Sequence, residues 1–316
     1  MTATEAAAYN HIRRGNARSR AELARVMNIS RPTASAAAAD SLIAAGLLRD
    51  GDKYCGAGGR HPTRLIPCSE AFSLIGVDVG CPGRMVGVRI NALGDVSDSS
   101  SVPPSPKGTA AEDILRLWAK LDPEFSALGI GVAFPAGFAA GRNDLIRSLR
   151  RQLIGKYLYC TDRLQAAALS EGFRGGAAPC RDYLLLSWES SVDAVICIGG
   201  RPFSGAHSLA GDLRHLPSVS GNGGISEFGD ALSKWEHRVP ASSAELAAVC
   251  ASALRHALAV LDPEAVVLSG RFPVCGEDFF RALSQRLREF CCRIAPARFG
   301  ELSAARGAAL QTHFSI

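Results

Sequence analysis

Between Ser30 and Leu48 the chain reads SRPTASAAAADSLIAAGLL, and this stretch limits the fold more than any other. Ser30 is placed to cap a helix. Pro32 falls in the first turn, where a missing N–H costs nothing, and Gly46 ends it. The run Ala36 to Ala39 gives high helix propensity but offers only methyl groups. Upstream, Thr4 to Arg14 has helical composition and stops at Gly15-Asn16. Ser19 and Glu22 have the spacing of a capping box, so Arg20 to Met27 reads as a short second helix with Asn28-Ile29 as the turn after it. Leu23, Val26, Ile29, Leu42, Leu47 and Leu48 are the apolar positions that would close one small core. Helix, short helix, tight turn and longer helix is the order of a helix-turn-helix unit, whose last helix enters the major groove of DNA with its N-terminal residues. Arg31, Thr33 and Ser35 are then the expected DNA contacts. A small helical domain used for protein contact is the competing reading.

Leu47 to Arg49 and Lys53 to Cys55 are expected to pair across an Asp50-Gly51-Asp52 turn, making a two-stranded wing. Gly58-Gly59-Arg60-His61-Pro62 follows as a flexible arm. Its Arg60 suits a narrow A·T-rich minor groove, with a plain linker as the alternative. The charge distribution agrees with a polyanion partner. Residues 1–70 hold ten Lys and Arg against six Asp and Glu, a net of +4, out of +5 for the whole chain.

With 316 residues, 47% of them hydrophobic, there is material for two or three domains. No basic, apolar leader opens the sequence and no stretch approaches a membrane span, so a soluble cytoplasmic protein is expected. Ten cysteines include no CxxC pair and read as buried free thiols rather than a disulfide or metal framework.

Beyond residue 70 the pattern is one of alternation. Strands are expected at Phe72 to Val79, Met85 to Ile90 with a hairpin partner from Asp95, Ala127 to Phe134, Tyr157 to Cys160, Tyr183 to Ser187, Val192 to Ile198 and Ala265 to Leu268. Helices are expected at Ala111 to Leu121, Asn143 to Leu153, Asp162 to Phe173, Ser243 to Leu261 and Glu277 to Phe290. Such an order indicates layered α/β structure.

SRAELARVMNISRPTASAAAADSLIAAGLL, then GGRHP, then SLIGVDVG together resemble the regulators of the repressor, open reading frame and kinase (ROK) family, and the resemblance covers nearly the whole chain. It implies an N-terminal winged helix-turn-helix with a Gly-Gly-Arg arm over residues 1–66. Residues 67–316 would form an actin-like (ribonuclease H-like), two-lobed sugar-kinase-type domain, shortened chiefly between Gly137 and Tyr157. GIGVAFPAG, Gly129 to Gly137, matches the family's small-lobe turn beside the sugar.

The motifs that would carry kinase chemistry are eroded. Asp78 and Gly80 match the first phosphate turn, but Pro82 and Gly83 follow where a polar donor is usual. DRLQAAALSE, Asp162 to Glu171, resembles the family's Asn-Asp-Ala-Asn-Ala-Ala-Ala-Leu-Ala-Glu. On the shared Ala-Ala-Ala-Leu, the sugar-binding Asn becomes Asp162 and the catalytic base becomes Arg163, which stays protonated and cannot accept a hydroxyl proton. SWESSVDAV, Ser187 to Val195, replaces the glycine-rich second phosphate turn, and Glu189 and Asp193 would repel a phosphate. In place of the family's zinc-binding His and three Cys stand His215, Ser218, Ser220 and Ile225. No catalytic residue, metal or cofactor is therefore expected.

Asp162, Arg163, Asp212, His215 and Glu227 remain as candidate ligand contacts. If Arg163 and Arg214 both face the old sugar site they would suit an acidic sugar derivative; ion pairing with Asp162, Asp212 or Glu171 is the alternative. The expected protein is a non-enzymatic, DNA-binding regulator, a repressor of sugar-related genes. It would be a homodimer or homotetramer on a pseudo-palindromic operator, open to a sugar effector. An ATP-dependent sugar kinase and a ligand-independent DNA-binding protein are the competing classes.

Overall fold

The computed structural model describes residues 2–13, 15–54, 61–138, 141–219, 223–235 and 243–315, apart from the side chains of 35–38 and 315. Helix α1 spans Ala3–Arg13 and α2 spans Arg20–Met27. The Ser19 hydroxyl caps α2 by accepting the Glu22 N–H, and Asn28 closes it in the left-handed conformation (φ 53°). Ser30 starts the next helical segment as expected, its Oγ accepting the Thr33 N–H at 3.2 Å.

That segment is not one regular α-helix. It winds as a π-helix over Thr33–Asp40 before a short α3 at Ser41–Ala44. Hydrogen bonds to the fifth residue widen the turn, which brings Ala34 and Ala39, five apart and both fully buried, to one face. These alanines join Tyr9, Ile12, Leu23, Leu42, Leu48 and Leu65 in the packed interior of this unit. Val26, an expected core residue, is exposed instead, and Ala8 and Ala17 join the interior.

The expected turn at Asp50 to Asp52 does not form. Strand β1 runs through it over Leu48–Lys53 and pairs antiparallel with β2, Thr63–Pro67. Gly51 serves close packing: a methyl group there would overlap the Ile66 side chain.

The rest holds two five-stranded sheets. The first contains β3 (Ser73–Asp78), β4 (Met85–Asn91), β5 (Val96–Val102), β6 (Gly129–Phe134) and β7 (Tyr157–Asp162), with α4 (Ala110–Leu121) and α5 (Arg142–Gln152) connecting them and α6 (Arg163–Arg174) leading on. The second begins with β8 (Tyr183–Trp188), β9 (Val192–Ile198) and β10 (Arg201–Phe203). The small ladder β11 (Pro217–Val219) and β12 (Ile225–Glu227), then α7 (Phe228–Ser233) and α8 (Ser243–Leu261), precede β13 (Ala265–Gly270), α9 (Gly276–Arg286), β14 (Arg293–Pro296) and α10 (Ser303–Ser315). The strand orders are β5-β4-β3-β6-β7 and β10-β9-β8-β13-β14, the same topology twice. In each the first three strands are antiparallel and the last two run parallel to the first. This repeat is the actin-like duplication.

Helix α8 corrects the expectation that no stretch suits a bilayer, since it is long and apolar enough to cross one. Its Leu246, Val249, Leu254 and Leu258 are buried with Leu184, Leu186 and Leu268 in the second lobe.

The last helix, α10, has no counterpart in the sequence reading, yet it lies against β3, β6 and α6. Methyl groups at Gly76 and Gly131 would overlap the Ala305 and Ala308 carbonyls, and one at Gly307 would overlap the Ala166 carbonyl of α6. The contact is backbone on backbone. At the far end of α10, the Arg13 guanidinium of α1 lies against the His313 ring, whose Nε2 is 2.7 Å from the Ala92 carbonyl. Tyr9 Oη donates to the same carbonyl at 3.2 Å.

Two outcomes are expected. Gly131→Val should cost about 2 kcal/mol or more by overpacking, seen as a lower urea midpoint; an unchanged midpoint refutes the seating of α10. Burial pushes the Tyr9 phenol up to about 12, above its unfolded value of 10.0. The stability tied to this proton is therefore full below pH 10 and is lost as pH rises towards 12. Tyr9→Phe should flatten that alkaline loss in unfolding curves measured against pH.

Candidate functional site

The cleft between the two sheets is built around Arg163, the first residue of α6. Strand β3 delivers Asp78 into the interior, where Oδ1 accepts the Gly80 N–H and Oδ2 accepts Arg163 Nε, both at 2.8 Å. Arg163 Nη1 donates to both carboxylate oxygens of Glu189, in the β8–β9 turn, at 2.8 Å. One guanidinium thus joins the first turn of one lobe to the corresponding turn of the other. Asp78 is fully buried and Glu189 is partly open to solvent.

Burial pulls the Arg163 pKa down, but attraction to the two carboxylates outweighs it, so the group titrates above its ordinary range. For Asp78 burial dominates, holding its carboxyl above the usual value despite the arginine beside it. Neither residue is arranged as a general base: one is a fixed cation and the other is committed to it. A cavity of about 410 Å³ opens beside the triad, with Arg163, Ser187, Glu189, Ser269 and Arg271 in its wall.

The remaining candidate ligand residues do not converge with Arg163. Asp162 is the N-cap of α6, its Oδ1 accepting the N–H groups of Leu164 (2.9 Å) and Gln165 (3.0 Å). Asp212 takes a two-pronged ion pair from Arg214, with Nε and Nη2 each at 2.8 Å, which holds the Asp212 carboxyl below its ordinary range. His215 Nδ1 lies 2.9 Å from Glu227 Oε2, and both side chains are largely exposed. Among the described residues no hydrogen bond or ion pair links these groups to the triad.

Of the two possibilities for Arg163 and Arg214, an anion held between them or ion pairing with acids, the structure has ion pairing, because each guanidinium is taken by carboxylates of its own. For Arg214 the partners are Asp212, one of the acids raised from sequence, and at 4.0 Å Asp193. For Arg163 the partners are Asp78 and Glu189, which sequence reading had noted separately. Glu171 is used elsewhere: fully buried, it accepts from Gly176 N, Arg298 N, Phe299 N and Ser303 Oγ and so ties α6 to the start of α10.

At the positions aligned with the family's zinc ligands in the sequence reading, Ser218 is buried and donates to the Val249 carbonyl at 3.0 Å, while Ile225 is exposed; Ser220 lies outside the described residues. Among the described residues no three His, Cys, Asp or Glu are grouped to hold a metal. Of the expected DNA contacts, Arg31 and Thr33 are exposed at the start of the third helical segment, and Thr33 Oγ1 is 2.7 Å from Ser30 Oγ. The Ser35 side chain and all of Arg60 lie outside the described residues. Sequence reading missed Arg20, which pairs with Asp40 (2.7 Å) and Asp50 (2.8 Å) and so offsets part of their charge.

A solved ROK family transcriptional regulator, a homologue of the E. coli MLC protein, matches with a TM-score of 0.70 at 15% identity, over 98% of this chain and 96% of that one. The fold is that of the ROK proteins. The ROK hexokinase of Thermus thermophilus matches with a TM-score of 0.59 at 19% identity, over 77% of this chain and 99% of its own. A ROK family glucokinase from Streptomyces griseus, solved with glucose and AMPPNP, matches at 0.57 and 16% identity, over 76% and 98%. In sequence, the bifunctional enzyme NanE/NanK of Brucella melitensis biotype 1 is 28% identical over 182 residues, 49% of this chain and 32% of the enzyme, and that of Brucella suis biovar 1 gives the same figures. The chain thus spans about a third of the length of the curated relatives it matches. No family model matches it. Regulators and sugar kinases both occur among these ROK neighbours, so the shared fold is compatible with either activity.

Removing the arginine should expose how the cleft is held. Arg163→Met leaves Asp78 buried without a charged partner and should cost about 3–5 kcal/mol, whereas Glu189→Gln, nearer solvent, should cost about 1 kcal/mol or less. Adding Asp78→Asn to Arg163→Met should recover much of the loss. Urea unfolding of the wild type, Arg163→Met, Asp78→Asn and their double variant reads this cycle, and additive losses would refute the coupling.

Proposed function

We propose that the chain is a DNA-binding transcriptional repressor whose kinase-derived part is catalytically silent. In this reading residues 1–66 are a winged helix-turn-helix, with β1 and β2 as the wing, and residues 67–316 are the effector and dimerisation domain. The observation that carries it is the order of α2, its left-handed turn at Asn28 and the helical segment from Ser30, with Arg31 and Thr33 exposed at the leading end. This supports Arg31, Thr33 and Ser35 as base or phosphate contacts and Arg60 as a minor-groove contact. The pairing of Arg20 with Asp40 and Asp50 helps, since its one positive charge offsets part of the negative charge of these two acids on the approach of a polyanion.

The triad supports the silent cleft. A kinase needs a carboxylate near the attacked hydroxyl and open backbone donors for phosphate, and the first position holds Arg163 while Asp78 and Glu189 are both engaged with it. A homodimer or homotetramer would read a pseudo-palindromic site with half-sites about 10 bp or a multiple apart, and a sugar or acidic sugar derivative is the class of effector. The competing reading, an ATP-dependent sugar kinase, draws on the hexokinase and NanE/NanK matches.

Selection of genomic fragments by the purified full chain at near-physiological salt should enrich one palindromic site. Arg31→Ala should weaken binding to that site and lower the slope of log affinity against log salt by about one if the contact is to phosphate. With ATP and hexoses the protein should release no ADP. Enrichment of nothing together with sugar-dependent ADP release would establish the kinase instead.

A further inference from the structure

A groove separate from the interlobe cleft runs between α1 and the second lobe. Two cavities, of about 600 and 750 Å³, share His11, Asn16, Leu169, Gly200, Arg201 and Phe314 and so form one continuous space. Its walls carry His11, Arg13, Arg174, Arg181 and Arg201, and among the described residues no carboxylate lines it. Three acids lie just behind this lining and are engaged with it: Asp95 with Arg174 (2.8 Å), Asp182 with the Gly199 N–H (2.6 Å) and Glu264 with the Arg181 N–H (2.7 Å). Arg201 sits at the tip of the β9–β10 hairpin, exposed, and forms no ion pair among the described residues. Arg181 commits only Nη2, in a long bond of 3.4 Å to the Gly199 carbonyl. On the opposite wall, His11 Nδ1 is buried without a hydrogen-bond partner, a state that ordinarily calls for a ligand or water atom. Tyr159, Thr161 and Gln165 add hydroxyl and amide groups along the floor.

We propose that this groove is a binding site for a small polyhydroxylated anion, a sugar phosphate or sugar acid, with its anionic group on Arg201 and Arg181 and His11 completing the site from α1. Paired guanidiniums suit phosphate and carboxylate alike, and the hydroxyl-bearing floor suits a polyol. A ligand here touches α1 on one side and the second lobe on the other, so it binds differently to any arrangement in which these two separate. Occupancy therefore biases the position of the N-terminal unit. That last step rests on the repressor reading; the binding step does not.

Isothermal titration of the full chain with glucose 6-phosphate, gluconate, inorganic phosphate and glucose tests the site without DNA. Binding of glucose 6-phosphate or gluconate is expected, and which of them binds names phosphate or carboxylate as the anion. Arg201→Glu, at an exposed position that should leave folding intact, should weaken that binding at least tenfold, and His11→Leu should weaken it several-fold. Arg214→Gln, in the old sugar region, should leave it unchanged. Failure of both sugar anions to bind, equal binding of glucose, or loss in Arg214→Gln with retention in Arg201→Glu would each overturn the proposal. If binding follows the first pattern while no operator is found, the site stands and only the repressor reading fails.

Discussion

The structure depends on how closely α10 can sit. A helix normally keeps its backbone away from a sheet by the length of two side chains, but Gly76 and Gly131 remove that spacing beneath Ala305 and Ala308, and Gly307 removes it against α6. Dispersion contacts then act between main chains at short range, where packing is least forgiving. Because α10 touches β3, β6 and α6 at once and carries His313 to Arg13 of α1, the first sheet, the interlobe helix and the N-terminal unit share one support. The buried Glu171, which gathers the backbone just before α10, fixes where that support begins.

Much of this was legible in the sequence and some was not, for physical reasons. Caps at Ser19 and Ser30, and apolar runs such as those of β3, β6 and β8, located most helices and strands within a few residues. Helix α10 left no such signature. It is buried nearly all round, and Arg306, Thr312 and His313 are buried among its alanines, so neither an amphipathic stripe nor an apolar run marks it. The partner of β1 was misplaced because a nearby Asp-Gly-Asp suggests a turn, whereas the strand that pairs with it starts at Thr63, beyond Pro62. The π winding, which accompanies the burial of Ala34 and Ala39, has no counterpart in local propensity.

The same holds in the cleft. Asp78, Arg163 and Glu189 each stood out as a departure or a match when the family motifs were compared, but they lie 85 and 26 residues apart and only the fold brings them together. Together they are chemically consistent: a cation in the place of a base makes an acid in each flanking turn tolerable, and each acid makes the buried cation tolerable. One match and two departures that look unrelated in sequence form one arrangement in space.

The π-helical stretch at Thr33–Asp40 has a further consequence. A wide turn holds one residue more than a regular turn between the same two ends, so the segment keeps a residue in reserve. Loss of one alanine there can be absorbed by tightening to ordinary α-helical winding, without rotating α3 or shifting Leu42 and Leu48 out of the interior they share with α1. A stretch beside the proposed DNA surface is thus also one where the chain can change length at little cost to its neighbours.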